Sequence, residues 1–152
     1  MLVNRLAAAL LAALGAISLS PVAHGEDGYG LWLRYPQLDG AAAEKLNAFN
    51  PVIATPSTRG ETVDVAMDEL ETGLSSLLGR PIGTGSGGQI TLDCGAPSAD
   101  PSGRFRVTGS SAEIRIVADE PVGCLYGSFA LLRELSLGRA PDQIALDEAP
   151  AM

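Results

Sequence analysis

Histidine is almost missing from this 152-residue chain, whose single one, His24, falls within the first 25 residues. Those residues have the parts of an export leader: a basic start at Arg5, an apolar stretch from Leu6 to Leu19, and small residues at Ala23 and Gly25. The apolar stretch, about 14 residues, is shorter than the roughly 20 that a spanning helix needs. Cleavage after Gly25 would leave a chain without imidazole. That excludes histidine bases, Ser-His and Cys-His nucleophile pairs and His-ligated zinc. The leader implies a secreted or periplasmic bacterial protein. No later apolar run is long enough to span a bilayer, so no membrane partner is expected after cleavage.

Cations and aromatics are also scarce. The chain has 10 Lys and Arg against 18 Asp and Glu, a net charge of −8, and only 5% of its residues are aromatic. Nucleic acid is therefore not an expected partner, because phosphate binding needs clustered cations. Only two cysteines occur, Cys94 and Cys124, with no C-x-x-C pair for redox or metal chemistry. In an oxidising compartment they would form a bridge worth roughly 3–4 kcal/mol by loop closure, or remain two separate buried thiols. Spacing alone does not choose, since a bridge depends on where the Cα atoms lie.

What is present reads as one domain followed by a short tail. Leu31 to Tyr35 alternates like a first strand ended by Pro36, Ala41 to Phe49 has a weak helical pattern, and Pro51 to Pro56 reads as a short extended piece. From Thr62 to Leu78, Val63, Met67, Leu70, Leu74, Leu77 and Leu78 recur at helical spacing, with Gly79 and Pro81 as stop signals. Gln89 to Cys94 follows as a strand. Arg104 to Thr108 and Glu113 to Ala118 read as a hairpin turning at Gly109-Ser110-Ser111. Pro121 to Leu137 is a second main helix, with Leu125, Phe129 and Leu132 on one stripe, Leu131 and Leu135 beside it, and Gly138 as its stop. Gly123 and Gly127, one turn apart, each cost about 1 kcal/mol of helix propensity relative to Ala and imply close approach to a sheet. Residues 141–152 have the composition of a linker or tail. The fold class expected is α+β, a small mixed β-sheet carrying two main helices in the order β-α-β-β-β-α.

Two motifs imitate chemistry. Asp64, Asp68 and Glu71 lie on one helix face and read as a solvated face and helix-dipole partners, not as a catalytic cluster. Gly83-Thr84-Gly85-Ser86-Gly87-Gly88 matches a dinucleotide loop in letters. It follows a helix and precedes a strand, the reverse of what a phosphate site needs, and reads as a flexible connection.

Two further segments carry a family resemblance: Glu26-Asp27-Gly28-Tyr29-Gly30-Leu31-Trp32-Leu33-Arg34-Tyr35, and the run from Val117 to Arg133 with its Gly123-Cys124-Leu125-Tyr126-Gly127-Ser128-Phe129 core. They resemble the N-terminal domain of glycoside hydrolase family 67 α-glucuronidases and, more distantly, that of β-hexosaminidases. The resemblance implies a β-hexosaminidase domain-2-like fold over residues 26–140 and no cofactor. It also implies a parent activity that releases glucuronic or 4-O-methylglucuronic acid from xylo-oligosaccharides with inversion. The family's acid and base carboxylates lie in a (β/α)₈ barrel of about 250 residues. No position here matches them, so no catalytic residue carries over and the chain alone is expected to be inactive. The implied partner is that barrel, in cis or in trans.

A free-standing carbohydrate-binding module is the alternative. Tyr29, Trp32 and Tyr35 would then be stacking platforms for xylo-oligosaccharide, although a strand tryptophan is more often core. An independent hydrolase lacks an activated nucleophile: there is no Ser-x-x-Lys motif and, after the leader, no histidine.

Overall fold

The computed structural model describes residues 35–99 and 102–149. The leader and all of the first predicted strand except Tyr35 lie outside them, as do Tyr29 and Trp32. In chain order the elements are helix α1 (Gly40–Phe49), strand β1 (Val52–Ile53), helix α2 (Glu61–Leu78), strands β2 (Gln89–Cys94), β3 (Phe105–Gly109) and β4 (Glu113–Ala118), helix α3 (Pro121–Ser136), a 3-10 turn (Pro141–Gln143) and strand β5 (Ala145–Glu148).

The helix ends follow local chemistry. Asn50 ends α1 in the left-handed region, at φ 49°, with its N–H on the Leu46 carbonyl. Asn tolerates that conformation better than other non-glycine residues. Gly79 does the same for α2 at φ 65°. Pro121 opens α3, where the missing N–H has no intrahelical partner to lose.

The strands form one mixed sheet in the order β1-β2-β4-β3-β5. β1, β2 and β4 run parallel, while β3 pairs antiparallel with β4 and with β5. Strict alternation then divides the faces. Ile90, Leu92 and Cys94 of β2, Ile114, Ile116 and Ala118 of β4, and Phe105 and Val107 of β3 are buried on the helix side. Gln89, Asp93, Arg106, Thr108, Arg115, Ala145 and Asp147 are exposed on the other.

Both main helices close the apolar face. Val63, Leu70, Leu74 and Leu77 from α2 and Leu131, Leu132 and Leu135 from α3 complete the core. A Cβ on Gly73 of α2 would lie 2.6 Å from Leu132 Cδ1, so the two helices touch through that glycine. The close approach inferred from the α3 glycines is present. A Cβ on Gly123 would lie 2.5 Å from the Arg104 carbonyl oxygen, and one on Gly127 would lie 2.7 Å from Ile116 Cγ2.

Three corrections follow. The tail expected over residues 141–152 is not only linker: Ala145–Glu148 is an edge strand, with Leu146 opposite Val107 and Glu148 opposite Phe105. With one large apolar side chain in four residues, its alternation is too short to stand out from a polar composition. The α3 stripe is also rotated. Leu131, Leu132 and Leu135 are buried, but Leu125 and Phe129 are only half-buried, because Cys124, Gly127 and Ser128 take the sheet-facing positions. Finally, the glycine-rich connection is packed at its end, at Gly87 and Gly88, while Gly85 stands in open space. The Gly88 N–H donates to the Phe49 carbonyl at 2.7 Å and Asn50 Nδ2 donates to the Ser86 carbonyl at 3.0 Å. A Cβ on Gly88 would collide with the Phe49 ring, and one on Gly87 with the Asn50 carbonyl.

Candidate functional site

At the carboxyl end of β2, Cys94 is bonded to Cys124 in the first turn of α3, with the Cα atoms 6.0 Å apart. Thr58 Oγ1 donates to the Cys94 carbonyl at 2.6 Å. Beside the bridge the buried Glu120 carboxylate accepts the Gly103 N–H at 2.8 Å. These bonds tie the loops at this end of the sheet to each other and leave the Glu120 carboxylate engaged with backbone.

The second buried carboxylate, Glu134, lies near the other end of α3. It faces Arg139 Nε at 2.7 Å and Arg133 Nε at 3.3 Å. From Glu120 to Glu134 the helix rises about 21 Å at 1.5 Å per residue. A glycosidase pair needs its carboxyls within roughly 5–9.5 Å around one sugar. The two buried acids therefore cannot act on one glycosidic bond. Among the described residues no group of three or more His, Cys, Asp or Glu is placed to hold a metal.

The acidic face of α2 is solvated. Asp68 and Glu71 are exposed, and Asp64 pairs with Arg59 at 2.8 Å across the helix start. Tyr35 is half-buried against the core. Burial first, and then the nearby charge of Glu69, raises its hydroxyl pKa above the ordinary value. On the bare sheet face Asp147 of β5 accepts hydrogen bonds from Arg106 at 2.8 Å and Arg104 at 3.0 Å. Those two bonds hold its carboxyl below the usual range.

Among several shallow concave surfaces on the described residues, one lies between α3 and the β5 edge. A groove of about 400 Å³ is walled by Phe105, Tyr126, Phe129, Arg133, Glu148 and Ala149. Tyr126 is 40% exposed. Sequence reasoning missed this groove because it placed Phe129 on the core stripe and β5 in a tail. Tyr126 and Phe129, three apart on one helix, were the available signal.

By the layers of its described residues this is a two-layer α/β domain, with the helices on one face of the sheet and none of them on the other. Its backbone resembles part of a solved GH138 enzyme targeting pectin rhamnogalacturonan II, with TM-score 0.55, 17% identity, and coverage of 66% of this chain and 15% of that one. The sequence narrows the class. Residues 31–91 match the model of the family described as Glycosyl hydrolase family 67 N-terminus. "Probable alpha-glucuronidase A" of Aspergillus niger is 30% identical over an alignment of 133 residues that covers 77% of this chain and 16% of that protein. "Alpha-glucuronidase A" of Aspergillus tubingensis is 29% identical with the same coverage. The domain is a family 67 N-terminal domain. The chain spans only 16% of the length of these curated relatives.

Proposed function

We propose that this is the N-terminal domain of an exported α-glucuronidase, of the β-hexosaminidase domain-2 kind, and that it supports hydrolysis carried out elsewhere in the enzyme. The parent reaction is removal of glucuronic or 4-O-methylglucuronic acid from xylo-oligosaccharides by a (β/α)₈ barrel, without a cofactor. The carrying observation is the match to α-glucuronidases over 77% of this chain. The separation of the two buried carboxylates supports a non-hydrolytic role for the domain itself. The leader pattern supports export.

Two measurements test the reading. The intact mass of the native exported product, captured with an antibody to this domain, should be several times that of this chain. The purified chain should release no uronic acid from glucuronoxylo-oligosaccharides. A product of this chain's own size would move the free-standing binding module to first place, and turnover by the purified chain would return catalysis to the domain.

A further inference from the structure

We propose that the open shelf between α3 and β5 is the docking surface for the domain that follows this one in family 67 α-glucuronidases. This rests on the reading above. The first support is architectural. α3 packs over β4 and β3, and α2 packs over β1 and against α3. β5 extends the sheet beyond them, so its helix-side residue Glu148 forms the floor of a groove whose wall is the outward flank of α3.

The second support is the chemistry of that wall. The chain has three Phe, three Tyr and one Trp, and three of these seven, Phe105, Tyr126 and Phe129, line this one groove. Of these Phe105 is buried, Phe129 is half-buried and Tyr126 is exposed; an aromatic pair at a surface is a signature of protein contact, where Tyr and Arg anchors dominate the binding energy. Arg133 supplies the guanidinium, already paired with Glu134 at 3.3 Å and Glu148 at 3.4 Å. With its charge matched, the groove suits an apolar protein surface better than a uronic acid or a hydroxyl-rich sugar.

The third support is the path of the chain. β5 runs antiparallel to β3 with Glu148 opposite Phe105, and Ala149 itself lines the groove. The family model describes an N-terminus, and the match covers 16% of the relatives' length. Any polypeptide continuing from Ala149 thus emerges at the mouth of the groove. A short tether holds a following domain at roughly millimolar effective concentration, so a shelf of modest size suffices.

The test mixes this chain with the Aspergillus tubingensis α-glucuronidase A polypeptide that begins after the matched segment, using that enzyme's own N-terminal segment as positive control. Binding is read by calorimetry and by the mass of the eluted complex. The wild-type chain should bind. Tyr126→Ser combined with Phe129→Ser should weaken binding roughly thirty-fold or more, and Asp68→Lys combined with Glu71→Lys on α2 by less than about threefold. Tyr126→Ser alone, at a 40% exposed position, keeps the test valid if the double variant does not fold. Equal binding by wild type and the α3 variants would overturn this inference and leave the proposed function standing. If wild type failed to bind while the control bound, the proposed function would fall too. Heat from xylo-oligosaccharide that disappears in the α3 variants would make the shelf a sugar site and overturn the docking role.

Discussion

α2 and α3 lie side by side on one face of the sheet, and their outward surfaces differ in the balance of acids and aromatics. α2 shows solvent Glu61, Asp68 and Glu71 together with Val65. α3 shows Tyr126, with Leu125 and Phe129 half-exposed beside it. The means of attachment differ as well. α2 is held by leucines, whereas α3 is stapled by Cys124 and drawn onto β3 and β4 through Gly123 and Gly127. A helix needing water on its outer face carries acids there. α3 carries aromatics there and is fixed rigidly to the sheet, which is the arrangement of an element presenting a surface to another body.

Removing the staple should break this difference most. Cys94→Ala with Cys124→Ala is expected to lower stability by about 3–4 kcal/mol, roughly 15 °C in Tm for a domain of this size. Thermal unfolding followed by circular dichroism checks it. A shift below a few degrees would mean that α3 is held by packing alone. Next in size is Gly127→Val, whose Cβ would lie 2.7 Å from Ile116 Cγ2. Overpacking there should cost about 1–3 kcal/mol in urea unfolding. Gly85→Ala, with nothing within 4 Å of the added Cβ, serves as its neutral control.

The same contrast explains what was legible in the sequence. α2 could be read almost to the residue, because acids and leucines alternate at helical period and Gly79 ends it. α3 was legible as a helix but not in its orientation. Apolar residues surround it, and glycine, serine and cysteine, not leucine, face the sheet at Gly123, Cys124, Gly127 and Ser128. Periodicity reports apolarity, whereas closeness to a sheet is set by small side chains. β5 escaped because an edge strand of four residues gains its identity from pairing with β3, which composition does not carry. Whether Cys94 and Cys124 pair or stay apart was open in the sequence, because their approach depends on β2 and α3 meeting at one end of the sheet.

Smaller effects sharpen the comparison. Asp68→Asn with Glu71→Gln should change stability by no more than about 0.5 kcal/mol, as for surface positions without buried partners. Tyr126→Ser should be similarly mild in denaturant unfolding while weakening association with the following domain. If the α2 variant were the one to alter association, the two helices would have exchanged roles.

The smallest effect is expected at Asp147, on the bare face of the strand that floors the shelf. Its carboxylate joins Arg104 and Arg106 of the neighbouring strand region, and those bonds lower its native pKa below the unfolded value. A group depressed in this way adds stability that is fully present above the ordinary carboxylate pKa and is lost as pH falls through the native one. Asp147→Asn should therefore speed amide exchange in β5 by a constant factor from neutral pH to about pH 5, and the difference from wild type should vanish in stronger acid. Half-molar salt should shrink it at every pH, because the pair is exposed and screened. The effect should also stay local. Among the described residues β5 pairs with β3 alone, so loosening it removes the floor of the shelf while α2, α3 and the core between them keep their protection. Faster exchange spreading into β4 would mean that β5 is part of the core's cooperative unit, and the distinction between a rigid presenting helix and a lightly held floor would fail.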